Sequence, residues 1–524
     1  MKPNLPLAAS DSSIHDPRHR KQIMFAICIA LMAVIASVSG LNVAQPQIAL
    51  ALNASQSDVF LMINIYAITM AALLLPLGAV GDRWGRKPVL IIGLVIFGIA
   101  NGAAGLAPST EIMLLARFLS GVGAAMIMPV TLAVITSSFP KEERSKAIGI
   151  WTAVAGGGGL IGMFLSAILV DLASWRALFI LPIGLVVVAF FITLRAVPNS
   201  REQSIHSFDM VGSLLSMLVV IGLIFFLHEG PAQGWTAPIS LLSLLVGGVS
   251  TIAFVLWERY QAAPLLDVKL FRRRGLAVGS LALLTVFGVQ AGVFISLYPY
   301  FQMVLGWSGL RSTLAFMPMA IMMMFASGLA PQLAQRIGSH LTMALGIVMG
   351  ALGLAFMAGF VSAEGAYLSV LPGMLAMGIG MGLSMTPSTE AITAALPREQ
   401  QGIASALNDV TREFGTALGV ALLGAVLTAS YRTAIEAQLQ GLPSSIADSA
   451  RSGLANALAA ADQSQVSSQL IIQAAQQAFV SGWQQSMWAG VVVMALLLGY
   501  ILLQGPSPSH VSSPEAEESA AMSQ

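Results

Sequence analysis

The stretch that decides the fold is Gly78-Ala79-Val80-Gly81-Asp82-Arg83-Trp84-Gly85-Arg86-Lys87-Pro88. Long apolar runs lie on both sides of it, so it reads as a short basic hairpin between two hydrophobic segments. Gly78 and Gly81 let the first run approach a neighbour closely, and Gly85 permits a tight reversal. Pro88 suits the first turn of the second run. Asp82 is the informative residue, because an acid near a helix end can pair with Arg or with a helix N-terminus in one conformation and lose that partner in another. The competing reading is a positively charged loop with a capping acid. A degenerate copy, Gln335-Arg336-Ile337-Gly338, lies 253 residues further on and favours a moving part. Gly78, Asp82, Arg83, Gly85 and Arg86 are therefore read as a gating loop.

Outward from this hairpin, the chain is apolar almost throughout. Of its 524 residues 56% are hydrophobic and 9% charged, with a mean hydropathy of +0.81. A water-soluble chain would carry about a quarter charged residues. Fourteen runs are long enough to span a bilayer, which takes roughly 20 apolar residues each. The expected fold class is an all-α polytopic membrane protein with 14 transmembrane helices, embedded in the lipid bilayer. A net charge of +1 excludes a strongly basic nucleic-acid binder, so no nucleic-acid partner is expected. The single cysteine, Cys28, excludes an intramolecular disulfide, and the 6 scattered histidines offer no metal cluster. Nineteen of the 25 Lys and Arg fall on one side of the spans and four on the other. That bias puts both termini in the cytoplasm and the protein in the cytoplasmic membrane.

A repeat organises the spans. Phe139-Pro140-Lys141-Glu142-Glu143-Arg144 precedes span five, and Leu396-Pro397-Arg398-Glu399-Gln400-Gln401 precedes span thirteen, 257 residues later. The same offset relates Gly158 to Gly415 and Gly162 to Gly419. The expected organisation is a cytoplasmic tail (1–22), a six-helix bundle (23–195) and a two-helix insert with its linkers (196–274). A second six-helix bundle (275–503) follows, related to the first by pseudo-symmetry, with an outside loop (430–478) carrying an amphipathic helix near 464–478. A disordered cytoplasmic tail (504–524) ends the chain. Repeated halves of this kind describe secondary transporters, whose halves rock around a cargo site near the midplane.

Ionisable residues inside spans are functional by default. Asp409, Arg412 and Glu413 recur at i, i+3 and i+4, on one face of span thirteen. Two acids and one Arg in a low-dielectric site let a carboxyl hold a proton reversibly; a static triad near the cytoplasmic interface is the alternative. Arg117 lies about five residues, or ~8 Å, into span four. It could simply satisfy backbone carbonyls. Ser37, Asn42, Asn64, Tyr66 and Gln290 are polar candidates for a cargo cavity, though each could bond only a neighbouring helix. Met377 and Met381 belong to a methionine series in span twelve whose flexible thioethers suit variable apolar cargo, with helix packing or lipid contact the stronger reading. Gly157, Gly159 and Gly162 fit a dinucleotide fingerprint, but no strand precedes them. No phosphate-binding Gly-Lys-Ser/Thr loop occurs, so neither ATP nor another cofactor is expected.

The hairpin resembles the loop signature of the major facilitator superfamily, and the span count with its two-helix insert resembles that family's fourteen-helix drug:proton antiporter branch, the multidrug efflux type. Further matches are Arg117-Phe-Leu-Ser-Gly121-Val-Gly123 in span four and Ser174-Trp175-Arg176 opening span six. Asp409-Val-Thr-Arg412-Glu413-Phe-Gly415 in span thirteen is another. The resemblance implies alternating access, and for Arg117 a role in proton transfer or in holding the coupling network. Two positions depart from the family pattern. Ser37 stands where members usually carry an acid, and Gly162-Met163-Phe164-Leu165-Ser166-Ala167 stands where Gly-Pro-x-x-Gly-Gly is usual. Gly158, Gly162 and Ser166 keep small residues for close packing of helix five, without the proline kink.

The leading expectation is a secondary active exporter of amphipathic or hydrophobic small molecules, coupled to protons through Arg117, Asp409, Arg412 and Glu413. Its partners would be small-molecule cargo and protons, with a periplasmic adaptor left open. An uncoupled or symport facilitator and a non-transporting membrane sensor are the alternatives. An intramembrane enzyme would need a paired His, Ser/Lys or di-acid motif with catalytic spacing, and the chain has none, so it is read as not an enzyme.

Overall fold

The computed structural model describes residues 14, 16–41, 44–200, 208–436, 438–439, 444–463 and 468–504. The long helices are α1 (Pro17–Leu41), α2 (Gln56–Trp84), α3 (Arg86–Gly105), α4 (Thr110–Ser138), α5 (Lys141–Leu172), α6 (Ile180–Ala196) and α7 (Met210–Gln233). They continue as α8 (Pro238–Tyr260), α9 (Arg274–Pro299), α10 (Met317–Ile337), α11 (Ser339–Phe360), α12 (Leu371–Ala395), α13 (Gln401–Glu436) and α14 (Ser468–Gln504). No strand occurs among the described residues. In lipid an unpaired peptide group costs several kcal/mol, so a chain this apolar must close its hydrogen bonds within helices. Among the described residues thirteen helices are long and apolar enough to cross a membrane. The remaining long helix, α12, is rich in Gly, Ser, Thr and Met, and most of it is buried between neighbouring helices.

Helices α1–α6 form one bundle and α9–α14 the other. The two meet where α13 packs on α2 and α4, and where α5 packs on α10 and α12. The hairpin α7–α8 is docked from outside: α7 lies against both α2 and α13, whereas α8 packs on α7. Asp209 caps α7 and ties it to α8, accepting from the Gly212 amide at 2.7 Å and from Trp257 Nε1 at 3.0 Å.

The repeat is visible atom by atom. In the first bundle a Cβ on Gly158 would meet Met32, one on Gly162 would meet Ala36, and Ser166 fills the space beside Gly40. In the second, Gly415 lies on Leu284, Gly419 on Gly288, and Leu423 beside Gly292. Each set steps four residues at a time along both helices, so α5 sits on α1 as α13 sits on α9.

The ends of α1, α5, α6, α9 and α14 that share one face define a near side. Arg20 pairs with Glu143 there at 2.7 Å, and Arg274 donates to the Gln504 carbonyl at 3.3 Å. On the far side, the segment read as an outside loop is largely helical. The helix α13 runs on to Glu436, two short helices follow (Ser444–Ser452 and Leu454–Gln463), and α14 begins at Ser468. Tyr431 donates to the Ala450 carbonyl at 2.8 Å, and Gln476 donates to the Met303 carbonyl at 2.9 Å. Alanine-rich segments with buried Ala450, Ala457, Ile471 and Ala475 pack as helices even where their hydropathy is low. The tail 1–13, the stretch 505–524 and Asn42 lie outside the described residues.

Candidate functional site

Three polar constellations lie at or near the seam between the bundles. The first is the near-side hairpin. Asp82, in the last turn of α2, is 2% exposed and accepts from Arg86 Nη2 at 2.7 Å and Nε at 3.2 Å. Its carboxylate also crosses to the other bundle. Both oxygens accept from the Gly402 amide, at 2.9 and 2.8 Å, and Oδ2 accepts from the Ile403 amide at 3.2 Å. These amides open α13, so an anion is placed where unpaired N–H groups and the helix dipole both favour one. The approach is possible because Gly78 and Gly402 face each other: a Cβ on Gly78 would come 2.6 Å from the Gly402 carbonyl. Gly85, at φ +112°, makes the reversal that L side chains resist. Arg83 occupies the last turn of α2, where a cation complements the carbonyl end.

The second constellation belongs to the first bundle. Arg117 is fully buried, and its Nε donates to the Met62 carbonyl at 3.2 Å. Its Nη1 donates to the Ser37 hydroxyl at 3.1 Å, and the guanidinium lies 4.3 Å from the Tyr66 ring centre. Ser37 in turn donates to Asn101 at 2.9 Å, and Tyr66 donates to the Val34 carbonyl at 3.3 Å. Four helices are thus tied together around one cation. No carboxylate pairs with it among the described residues, and Nη2 has no partner.

The third constellation is on α13. Asp409 is buried, with Oδ1 3.4 Å from Arg412 Nη1 and 3.3 Å from Asn408 Nδ2, while Oδ2 is unpartnered. Arg412 is held over the rings of Phe287 on α9, at 4.5 Å, and of Trp151 on α5, at 5.8 Å. Glu413 is half-buried and lies within electrostatic reach of Tyr66 in the opposite bundle. Asp409 is seven residues past Gly402, ~10 Å along the same helix. The helix gripped by Asp82 therefore carries the two acids.

The sequence-derived candidates separate into groups. Ser37, Tyr66 and Arg117 come together, as do Asp409 and Arg412, while of the hairpin residues Gly78 and Asp82 meet α13 and Arg86 bonds Asp82. Gly158, Gly162 and Ser166 lie against α1, inside the first bundle. Asn64 and Gln290 are half-buried, Gln290 with its Oε1 unpaired. Met377 packs beside Gly350 and Gly353 of α11, inside the second bundle, and Met381 is buried. Methionines that reach the seam are Met323 and Met324 of α10, which cover Gly156 and Gly157 of α5, and Met385 of α12, whose methyl also faces Gly156. Sequence reading also passed over Asn101, a lone amide in an apolar run and therefore findable. Trp151 and Gly402 carried no such signal.

The sequence pattern of the Major Facilitator Superfamily matches residues 27–420. The chain belongs to that superfamily. It is thereby a multi-pass membrane protein of a transporter family. It is 30% identical over 425 residues to "Multidrug resistance protein Stp" of Mycobacterium tuberculosis, covering 80% of this chain and 79% of that one. It is 30% identical over 461 residues to "Multidrug efflux pump LfrA" of Mycolicibacterium smegmatis, covering 88% and 90%. Among solved structures, the human organic anion transporter MFSD10 superposes with a TM-score of 0.60 at 13% identity, over 91% of this chain and 100% of that one, a likeness of fold.

Proposed function

We propose that this superfamily member is a secondary active exporter of amphipathic or hydrophobic small molecules, drugs or antibiotics among them. It sits in the cytoplasmic membrane with both termini inside and is driven by proton antiport. The resemblance to drug-resistance and efflux proteins supports the cargo class. One observation carries the coupling: the gate and the acids share α13. With Asp82 bonded to the amides of Gly402 and Ile403, the near side is closed. Opening toward the cytoplasm breaks those bonds, and Asp82 keeps Arg86 as its partner. A proton that binds Asp409 or Glu413 more tightly in one state than in the other then biases that step; equal binding would drive nothing.

The neutral contacts of Arg117 bear on the cargo. Ser37 gives this cation a hydroxyl rather than a carboxylate, so the first bundle offers a lipophilic cation no counter-ion there. Neutral and weakly acidic compounds are the favoured cargo. The same Ser37 favours, as a second reading, a facilitator that moves cargo without protons.

Everted membrane vesicles with a pH-sensitive dye separate the two. Under antiport, a transported compound dissipates the proton gradient with the natural chain and fails to do so with Asp409→Asn or Glu413→Gln. Labelled cargo that moves in all three without proton movement would establish the facilitator instead.

A further inference from the structure

A cleft of about 500 Å³ opens on the outer surface of the first bundle, at the near side, between the beginning of α1 and the end of α6. Its walls carry the same pair twice. On α1, Lys21 lies one turn from Phe25; on α6, Arg195 lies one turn from Phe191. In each pair the cation is toward the near side and the ring toward the membrane interior, because α1 enters the bundle at this face and α6 leaves it here. Phe25 is 59% exposed and Phe191 57%, so the rings turn away from the protein.

The cations are equally unattached. The acceptors at this corner are already used: His19 donates to the Ala196 carbonyl at 2.6 Å, Lys87 to the Leu194 carbonyl at 2.8 Å, and Arg20 holds Glu143. Lys21 and Arg195 make no hydrogen bond or ion pair among the described residues, and none of the residues lining the cleft is acidic. Two cations facing each other across a cleft repel unless an anion lies between them.

We infer that this cleft binds one anionic glycerophospholipid of the near-side leaflet. Its phosphodiester lies between Lys21 and Arg195, and its acyl chains run down over Phe25 and Phe191. Free phosphate would satisfy the cations and leave the exposed rings without a role. A zwitterionic lipid would bring its own cation into a cationic cleft. Basic pockets between membrane helices recognise headgroups in this way, with each cation near the surface strengthening binding about five-fold. The site lies on the outside of one bundle, away from the seam through which cargo passes, so it is distinct from the transport site.

The test uses the full chain, purified in detergent and offered phosphatidylglycerol, phosphatidylcholine or inorganic phosphate, with retained molecules counted by native mass spectrometry. The expected result is one phosphatidylglycerol retained against phosphatidylcholine. Retention falls about five-fold in Lys21→Gln or Arg195→Gln and further in the double variant. Lys21→Arg and Arg195→Lys keep the charges and keep the lipid, which separates loss of the site from loss of fold. Lys269→Gln, which removes an exposed near-side cation elsewhere, leaves retention unchanged. Equal retention of both lipids, full retention by the double glutamine variant, or displacement of the lipid by millimolar phosphate would each overturn the assignment.

Discussion

The two near-side hairpins, α2–α3 and α10–α11, share a backbone and differ in what that backbone carries. Both reverse at a glycine of positive φ, Gly85 at +112° and Gly338 at +89°, each with an extended ψ. Both lie where their bundle touches the other: Gly78 against Ala406 on one side, Pro331 against Gly149 on the other, positions matched by the repeat offsets. Only the first hairpin has an acid. Asp82 is buried and bonded to the opposite bundle, whereas Gln335 and Arg336 are exposed. On the second side the position that matches Gly402 is Ser145 of α5, and no carboxylate of its hairpin reaches it. The two hairpins thus share the close contact with the opposite bundle, and the buried carboxylate on helix-end amides belongs to the first of them.

The largest effect should follow from removing the one charged latch. Asp82→Asn keeps the shape and removes the anion from two amides and an arginine. Hydrogen bonds to a charged group contribute about 1.5–3 kcal/mol, so closure weakens and export falls about 10- to 100-fold in vesicle assays. Gln335→Ala, at the matching position, should leave export within about two-fold, because an exposed side chain away from special features contributes little. Equal losses in the two variants would mean that the hairpins act alike and that the comparison is mistaken.

Where the halves are alike, substitutions should cost alike, with a difference set by how tightly each pair packs. Gly162→Ala places a Cβ 2.8 Å from the Ala36 Cα. Gly419→Ala drives one into the Gly288 carbonyl, a closer approach than that of the first pair. Overpacking costs about 1–3 kcal/mol, so thermal unfolding in detergent should drop for both, and further for Gly419→Ala. A larger drop for Gly162→Ala would show that α1 yields less than α9.

The sequence made the close contacts inside each bundle legible for a physical reason. Close helix contact requires small residues at fixed spacing, so Gly158, Gly162, Gly415 and Gly419 announced it at a common offset. The hairpin was legible because a charged run between apolar runs has few structural meanings. The partner of Asp82 was not, since a backbone amide has no signature in sequence and Gly402 looks like any glycine near a helix start. The same limit applied to Arg117, whose partners are a hydroxyl, a carbonyl and a ring spread over helices α1 and α2. The methionines were ambiguous for a related reason: periodicity puts Met377 and Met381 on a helix face without saying which neighbour that face meets. The helices of 444–463 escaped notice because hydropathy finds membrane spans, and these segments are amphipathic and short.

The smallest expected effect is the most diagnostic of whether the acid or its surroundings make the latch. Gln335→Asp restores to the second hairpin the charge that the first one has, on a backbone of the same shape. It supplies neither a buried site nor a pair of free amides in reach, because position 335 is exposed and the neighbouring contact with α5 is made by Ser327 and Pro331 against Gly149. An exposed carboxylate beside Arg336 gains at most a surface ion pair, worth about 0–1 kcal/mol. Introduced into Asp82→Asn, it should therefore leave export as low as Asp82→Asn alone. Recovery of export would mean that any acid on either hairpin can close the near side. The amides of α13 would then lose their special standing, and the gate would have to be understood as a matter of net charge rather than of one carboxylate on one helix end.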